Sequence, residues 1–397
     1  MTLWLIGKKS TPPILQTGFR LFFLSSAIAA ILGILLWMLI YSFGWAINIH
    51  LSSFIAWHAH EMIFGYAMAV IAGFLLTAVQ NWTGLQTLRG VPLLSLFLLW
   101  FIARIMPFID SFLSFLVMAG CDMLFISYLT YAVFIPIFKV KQWRNMVVVI
   151  KVFFILVSNL MFYLGEAGLI LGGYRIGLYS AFYLIISLIL MLGRRVLPFF
   201  IEKGVGYPVK LKNREWIDNL CIYLFLFFWG AIIINPNTYI IAILSGGLCI
   251  LHIIRIVGWY TYGIWKKPLL WSIYLSYACI ILGFALIVYM KVWPISIFLP
   301  LHAFAYGGIG VMTLSMMARV SLGHTGRSIN HPSKYIKVAF ICMLIGMIFR
   351  VIVPILSNHN YSTWIIISQI LWIVSFSLYL IIYTPMLCCK RIDDQQG

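Results

Sequence analysis

Apolar residues run through this chain in long stretches, and most polar residues are confined to the short intervals between them. A helix rises ~1.5 Å per residue, so ~20 apolar residues in a row are what a bilayer core requires. Read in that way, the pattern predicts helical spans at 19–42, 54–79, 91–109, 112–138, 146–165, 173–200, 216–234, 238–259, 269–290, 294–318, 334–355 and 361–388. The expected fold class is all-α: a polytopic integral membrane helical bundle of about twelve transmembrane helices. The longest polar connections, 201–215 and 319–333, are too short to hold a second folded unit. Residues 1–397 therefore read as one integral membrane domain, with tails of about 1–18 and 389–397.

Composition agrees, with 63% hydrophobic and 9% charged residues. The net charge of +18 changes the picture only through its distribution. With the N-terminus in the cytoplasm, the inner connections hold Arg89, Lys139, Lys141, Arg144, Lys203, Lys210, Lys212, Arg214, Lys266, Lys267, Arg327 and Lys334, and the tails add Lys8, Lys9, Lys390 and Arg391. The outer loops offer Lys291, with Arg175 near the start of span six. This is the positive-inside bias, and it places both termini in the cytoplasm. Because the cations alternate with spans and do not gather on one soluble face, no nucleic-acid partner is expected. Span one is too long for a signal-peptide core and lacks a small-residue cleavage site, so it is expected to be retained. Of the seven cysteines, none forms a C-x-x-C pair or a C-x-x-C-H motif, so neither a zinc ribbon nor covalently attached haem is expected.

Against this apolar background, Trp57-His58-Ala59-His60-Glu61-Met62 stands out at the start of span two. Ionisable groups inside a bilayer are costly and mark ligand, proton or metal sites. By helical rise, His58, His60 and His302 lie about 6–12 Å inside the outer surface, a common depth. Residues two apart on a helix point about 200° from each other, so His58 and His60 serve one ion only if the turn is irregular. A neutral imidazole in this position suits haem iron or copper, with Glu61 orienting a histidine or relaying protons. Tyr306 stacks one turn below His302, which makes Glu61 and Tyr306 the candidate catalytic groups. His252 and His324 form a second, inner set. Arg194, Arg195, Arg255 and Arg319 are candidate partners for the carboxylates of a buried cofactor, although snorkelling to headgroups accounts for those at span ends. Met312, Met316 and Met317 could offer thioethers to copper, but with 17 methionines in an apolar chain core packing is the stronger reading.

Setting His60–Gly65 against His302–Gly307 aligns histidine with histidine and glycine with glycine, and the same register brings Trp82-Thr83-Gly84 onto His324-Thr325-Gly326. Both spans run from the outer leaflet inward, so the likeness is between parallel helices. A six-plus-six duplication would pair span two with span eight, which leaves the origin of this match open.

The run from Trp57-His58-Ala59-His60-Glu61-Met62 through Gly73–Val79 to Asn81-Trp82-Thr83-Gly84 resembles the signature of the NnrS family. Further matches are Gly18-Phe19-Arg20 with Phe22-Phe23, Gly193-Arg194-Arg195 with Pro198-Phe199-Phe200, and Ala318-Arg319 with Gly323–Arg327. Leu21 and Gln80 stand where the family pattern carries proline. The resemblance implies a multi-pass protein of the bacterial inner membrane that contains non-covalent b-type haem and copper. It also implies a link to nitric oxide and nitrosative stress, and oxidoreductase turnover would draw on a quinol or another electron donor. On the residues alone, His58, His60 and His302, with His252 and His324, are the metal-ligand candidates. A twelve-span transporter of a metal or small anion, and a non-catalytic nitric oxide sensor or metal chaperone, stand as alternatives.

Overall fold

The computed structural model describes residues 11–109, 111–235, 238–357 and 359–393, so Lys8 and Lys9 and the two outermost tail segments lie outside the described residues. Twelve helices are long and apolar enough to cross a membrane, and among the described residues there is no strand. They are α1 (Gly18–Phe43), α2 (Phe54–Thr83), α3 (Val91–Phe108), α4 (Phe112–Lys139), α5 (Trp143–Glu166), α6 (Gly173–Gly204), α7 (Glu215–Ile234), α8 (Tyr239–Gly258), α9 (Pro268–Tyr289), α10 (Phe298–His324), α11 (Lys334–Leu356) and α12 (Tyr361–Cys388). The chain is a multi-pass membrane protein.

The boundaries fall close to those expected from hydropathy except at α10, which starts later and runs on to His324. Hydropathy fades after Ala318, but the helix continues because its polar residues find partners. Arg319 lies over the Phe200 ring at 3.8 Å, and the hydroxyls of Ser321 and Tyr379 pair at 3.1 Å. The C-terminal ends of α2 and α10 are built alike. Thr83 Oγ1 donates to the Val79 carbonyl at 2.7 Å and Thr325 Oγ1 to the Ser321 carbonyl at 2.6 Å. Gly84 and Gly326 follow with φ of 70° and 77°, the left-handed backbone that ends a helix most cheaply at glycine.

The twelve helices fall into three groups of four. The first helix of each group packs along the second (α1 on α2, α5 on α6, α9 on α10), and the third packs along the fourth (α3 on α4, α7 on α8, α11 on α12). The fourth packs on the first helix of the next group (α4 on α5, α8 on α9, α12 on α1), which closes a ring. The second helices α2, α6 and α10 meet inside it, and they rank with α9 as the most buried spans. A four-span unit pairs α2 with α10, which a six-span unit does not, so the parallel histidine register has a structural counterpart. Closure of the ring is fastened by the buried Arg20, which donates to the carbonyls of Leu387 at 3.0 Å and Cys389 at 2.6 Å at the end of α12. Trp372 Nε1 in α12 donates to the Ala30 carbonyl of α1 at 3.1 Å.

At the centre, the hydroxyls of Tyr66 (α2) and Thr313 (α10) hydrogen-bond to one another. Below them an apolar cavity of about 80 Å³ is lined by α1, α2, α6 and α10, including Met312 and Met316. The sulfurs of Met312 and Met317 accept from Ser276 and Ser26, so these methionines are engaged in packing.

Candidate functional site

Three helices carry a π-turn, the wider i→i+5 winding that concentrates at functional positions. In α2 it spans Glu61–Ala67, directly after His60. In α10 it spans Ala303–Gly310, directly after His302. In α11 it spans Ile348–Ile352 and contains Arg350. The spans α2 and α10 thus share histidine, π-turn and Thr-Gly terminus in one register, whereas α6 is a continuous α-helix without histidine. Trp100 Nε1 donates to the Gly65 carbonyl at 2.9 Å, supplying a partner within this irregular turn.

His58 and His60 leave α2 in different directions and join two separate constellations. Fully buried His60 points toward α4 and α5, its Nε2 lying 3.1 Å from Asn159 Oδ1 and 3.5 Å from Asp122 Oδ2. Its Nδ1 is 3.4 Å from Glu61 Oε1, and its ring stacks on Phe162 at 4.4 Å. Arg104 from α3 ties the carboxylates together, with contacts of 2.8 Å to Glu61 and 2.5 Å to Asp122. Tyr163 OH donates to the other Asp122 oxygen at 2.7 Å. Both nitrogens of His60 are thus taken up by neighbouring polar side chains of the chain itself. The π-turn brings Glu61 beside His60 and Arg104.

The second constellation joins α1, α2, α10, α11 and α12. His302 Nδ1 donates to the Phe298 carbonyl at 2.7 Å, one turn back, which leaves Nε2 as the lone-pair nitrogen. Arg350 donates to that Nε2 at 3.2 Å and to Tyr361 OH at 3.3 Å. His58 lies flat on Trp37, with ring centroids 4.4 Å apart and planes 10° apart. Its neighbourhood is electrostatically shared with His302 and Arg350. No carboxylate pairs with Arg350 among the described residues. Tyr306 turns away from this site, donating to the Ser368 carbonyl at 2.8 Å.

The inner candidates do not converge. Buried His252 bonds Tyr277 OH through Nδ1 at 2.6 Å, and its Nε2 has no hydrogen-bond partner. Arg255 and Arg194 clamp Asp218 at 2.6 and 2.7 Å, so these arginines already hold a carboxylate of the chain itself. Arg195 donates to Asn145 Oδ1 at 2.8 Å. His324 lies 3.4 Å from Asn81 Nδ2 and packs on Phe19.

Neither Arg350 nor Asp122 is among the candidate site residues read from the sequence. The signal was available for both, since a charge within an apolar span calls for a partner. Asn159, Tyr163 and Trp37 carry no such signal, because amides and aromatics within spans are ordinary packing. Among the described residues, no three His, Cys, Asp or Glu side chains converge as a metal-binding group. A family model described as NnrS protein matches residues 13–391, and no curated protein matches the chain.

Proposed function

Because the chain belongs to the NnrS family, we propose that it is a haem-containing protein of the bacterial inner membrane that binds nitric oxide at the His58–His302 site and relieves nitrosative stress. The observation that carries this reading is Arg350, a membrane-embedded cation that donates to the His302 imidazole and, among the described residues, has no carboxylate partner. A charge in such a place calls for an anionic partner, and porphyrin propionates supply one next to imidazole ligands.

The residues fit such a group. The anchored Nδ1 of His302 is the arrangement that orients a ligating imidazole and raises its basicity. Trp37 supplies a flat aromatic wall behind His58. His302 and His58 would hold the iron, and Arg350 would bind a propionate. Bound haem supplies an iron centre that takes diatomic ligands. For copper, the described residues offer donor pairs and no triad, so no step is assigned to it. The neighbouring Glu61–Arg104–Asp122–Tyr163 network holds charge and protons close by, and reductive turnover would add electrons from a donor such as a quinol.

Spectra of the purified protein in mild detergent, reduced and then exposed to nitric oxide, test the proposal. A Soret band that shifts with the gas and is lost in His58→Ala and His302→Ala is the expected result. Haem retained in both variants would refute the ligand assignment, and absence of haem after supplemented expression would refute the function. Transport of a small anion is a second reading, supported by the buried charges and π-interrupted helices on which transporters build their sites. Uptake into vesicles without any bound haem would favour it.

A further inference from the structure

A cavity of about 540 Å³ lies on the side that the charge bias assigns to the cytoplasm, between the 209–214 segment and the ends of α7 and α8. Lys210, Lys212, Arg214 and Arg255 line it, against a single acid, Asp218. That acid is already neutralised twice over, by Arg255 and Arg194. Among the described residues, Lys210, Lys212 and Arg214 form no ion pair, so the cavity carries a surplus of positive charge.

Its walls are fixed. Leu211 N donates to Glu202 Oε1 at 2.9 Å, Lys212 N to the Gly258 carbonyl at 3.1 Å, and Trp259 Nε1 to Asn213 Oδ1 at 2.8 Å. These bonds strap the segment across the end of α8. Gly258 permits the approach, since a Cβ there would come within 2.9 Å of the Lys212 carbonyl oxygen. The other side of the cavity is apolar and open, with Ile253, Ile254 and Val257 exposed on the surface of a membrane-spanning helix. A basic pocket at headgroup level that continues into an apolar face on the lipid side matches a molecule with a phosphate at one end and acyl chains at the other.

We propose that this cavity binds an anionic phospholipid of the cytoplasmic leaflet, its phosphate among Lys210, Lys212 and Arg214 and its acyl chain along Ile253 and Val257. The site is independent of the haem site and would stand if that reading failed.

Native mass spectrometry of the detergent-solubilised full chain, titrated with phosphatidylglycerol or phosphatidylcholine, tests it. The wild type should retain phosphatidylglycerol in preference to phosphatidylcholine. The triple variant Lys210→Gln/Lys212→Gln/Arg214→Gln removes three exposed cations and should weaken phosphatidylglycerol binding on the order of a hundredfold, with phosphatidylcholine unaffected. Val257→Asn should weaken lipid binding while leaving competition by inorganic phosphate unchanged. Equal binding of the two lipids, or wild-type affinity in the triple variant, would overturn the proposal. Full displacement of phosphatidylglycerol by equimolar inorganic phosphate would overturn the lipid assignment and leave a free-phosphate site.

Discussion

The first and third groups of four helices repeat one design and use it differently. In each, the second helix carries a histidine at the head of a π-turn, and the third helix sends an arginine to that histidine's surroundings. In the first group, Arg104 is neutralised by Glu61 and Asp122, and His60 is enclosed by acceptors. In the third, Arg350 finds a phenol and an imidazole and, among the described residues, no acid. The same framework thus yields a self-satisfied ionic network in one place and an unbalanced cation in the other. Satisfied networks hold helices together, whereas unbalanced ones await a ligand.

The sharpest way to break this comparison is to remove each arginine. Arg104→Leu leaves two carboxylates buried in the membrane without their cation and should destabilise the protein by ~3–5 kcal/mol, read as a large drop in thermal unfolding temperature in detergent. Arg350→Leu strands no charge, so the haem-free variant should keep the thermal stability of haem-free wild type while haem retention is lost. Equal destabilisation by the two variants would erase the distinction. A second test pairs Arg104→Leu with Asp122→Asn. The two act on one network, so their double-mutant coupling should reach ~1–3 kcal/mol, and additive effects would show that the network does not act as a unit.

Smaller effects probe the packing around the two arginines. At Gly346 a Cβ would sit 2.0 Å from the Tyr306 hydroxyl, while at Gly65 it would meet the flexible ends of Glu61 and Arg104 at 2.9 and 3.0 Å. Gly346→Ala should therefore cost ~1–3 kcal/mol and Gly65→Ala less, as measured by thermal unfolding. The smallest expected change is at the matching helix ends. Thr83→Val and Thr325→Val each remove the hydroxyl's bond to the carbonyl four residues back, with one further contact to Leu85 N or the Leu322 carbonyl, and each should cost on the order of 1 kcal/mol; near-equal values would support the equivalence of α2 and α10.

Much of this architecture was legible in the order of residues. The spans follow from hydropathy, and the likeness of α2 to α10 was visible in the register that sets His60 on His302 and Thr83 on Thr325. The four-span unit that explains that likeness was not, because helix neighbours are chosen by packing across long separations. Nor were the π-turns legible, since nothing in Glu61–Ala67 or Ala303–Gly310 departs from ordinary helix-forming composition except glycine. As a result, the grouping by depth of His58, His60 and His302 did not survive into the structure as one site. Depth alone sets height along the membrane normal, and the direction in which each ring leaves its helix separates His60 from the other two.

The bond between Arg20 and the end of α12 also bears on how the protein is made. Its acceptors lie 366 to 369 residues further along the chain, so α1 enters the bilayer with a cation at its inner end that has no native partner until the last helix emerges. The ring therefore locks only when synthesis is nearly finished. A chain cut short before Leu387 would hold an open bundle with its first helix unsecured, a ready mark by which quality control could recognise an unfinished protein.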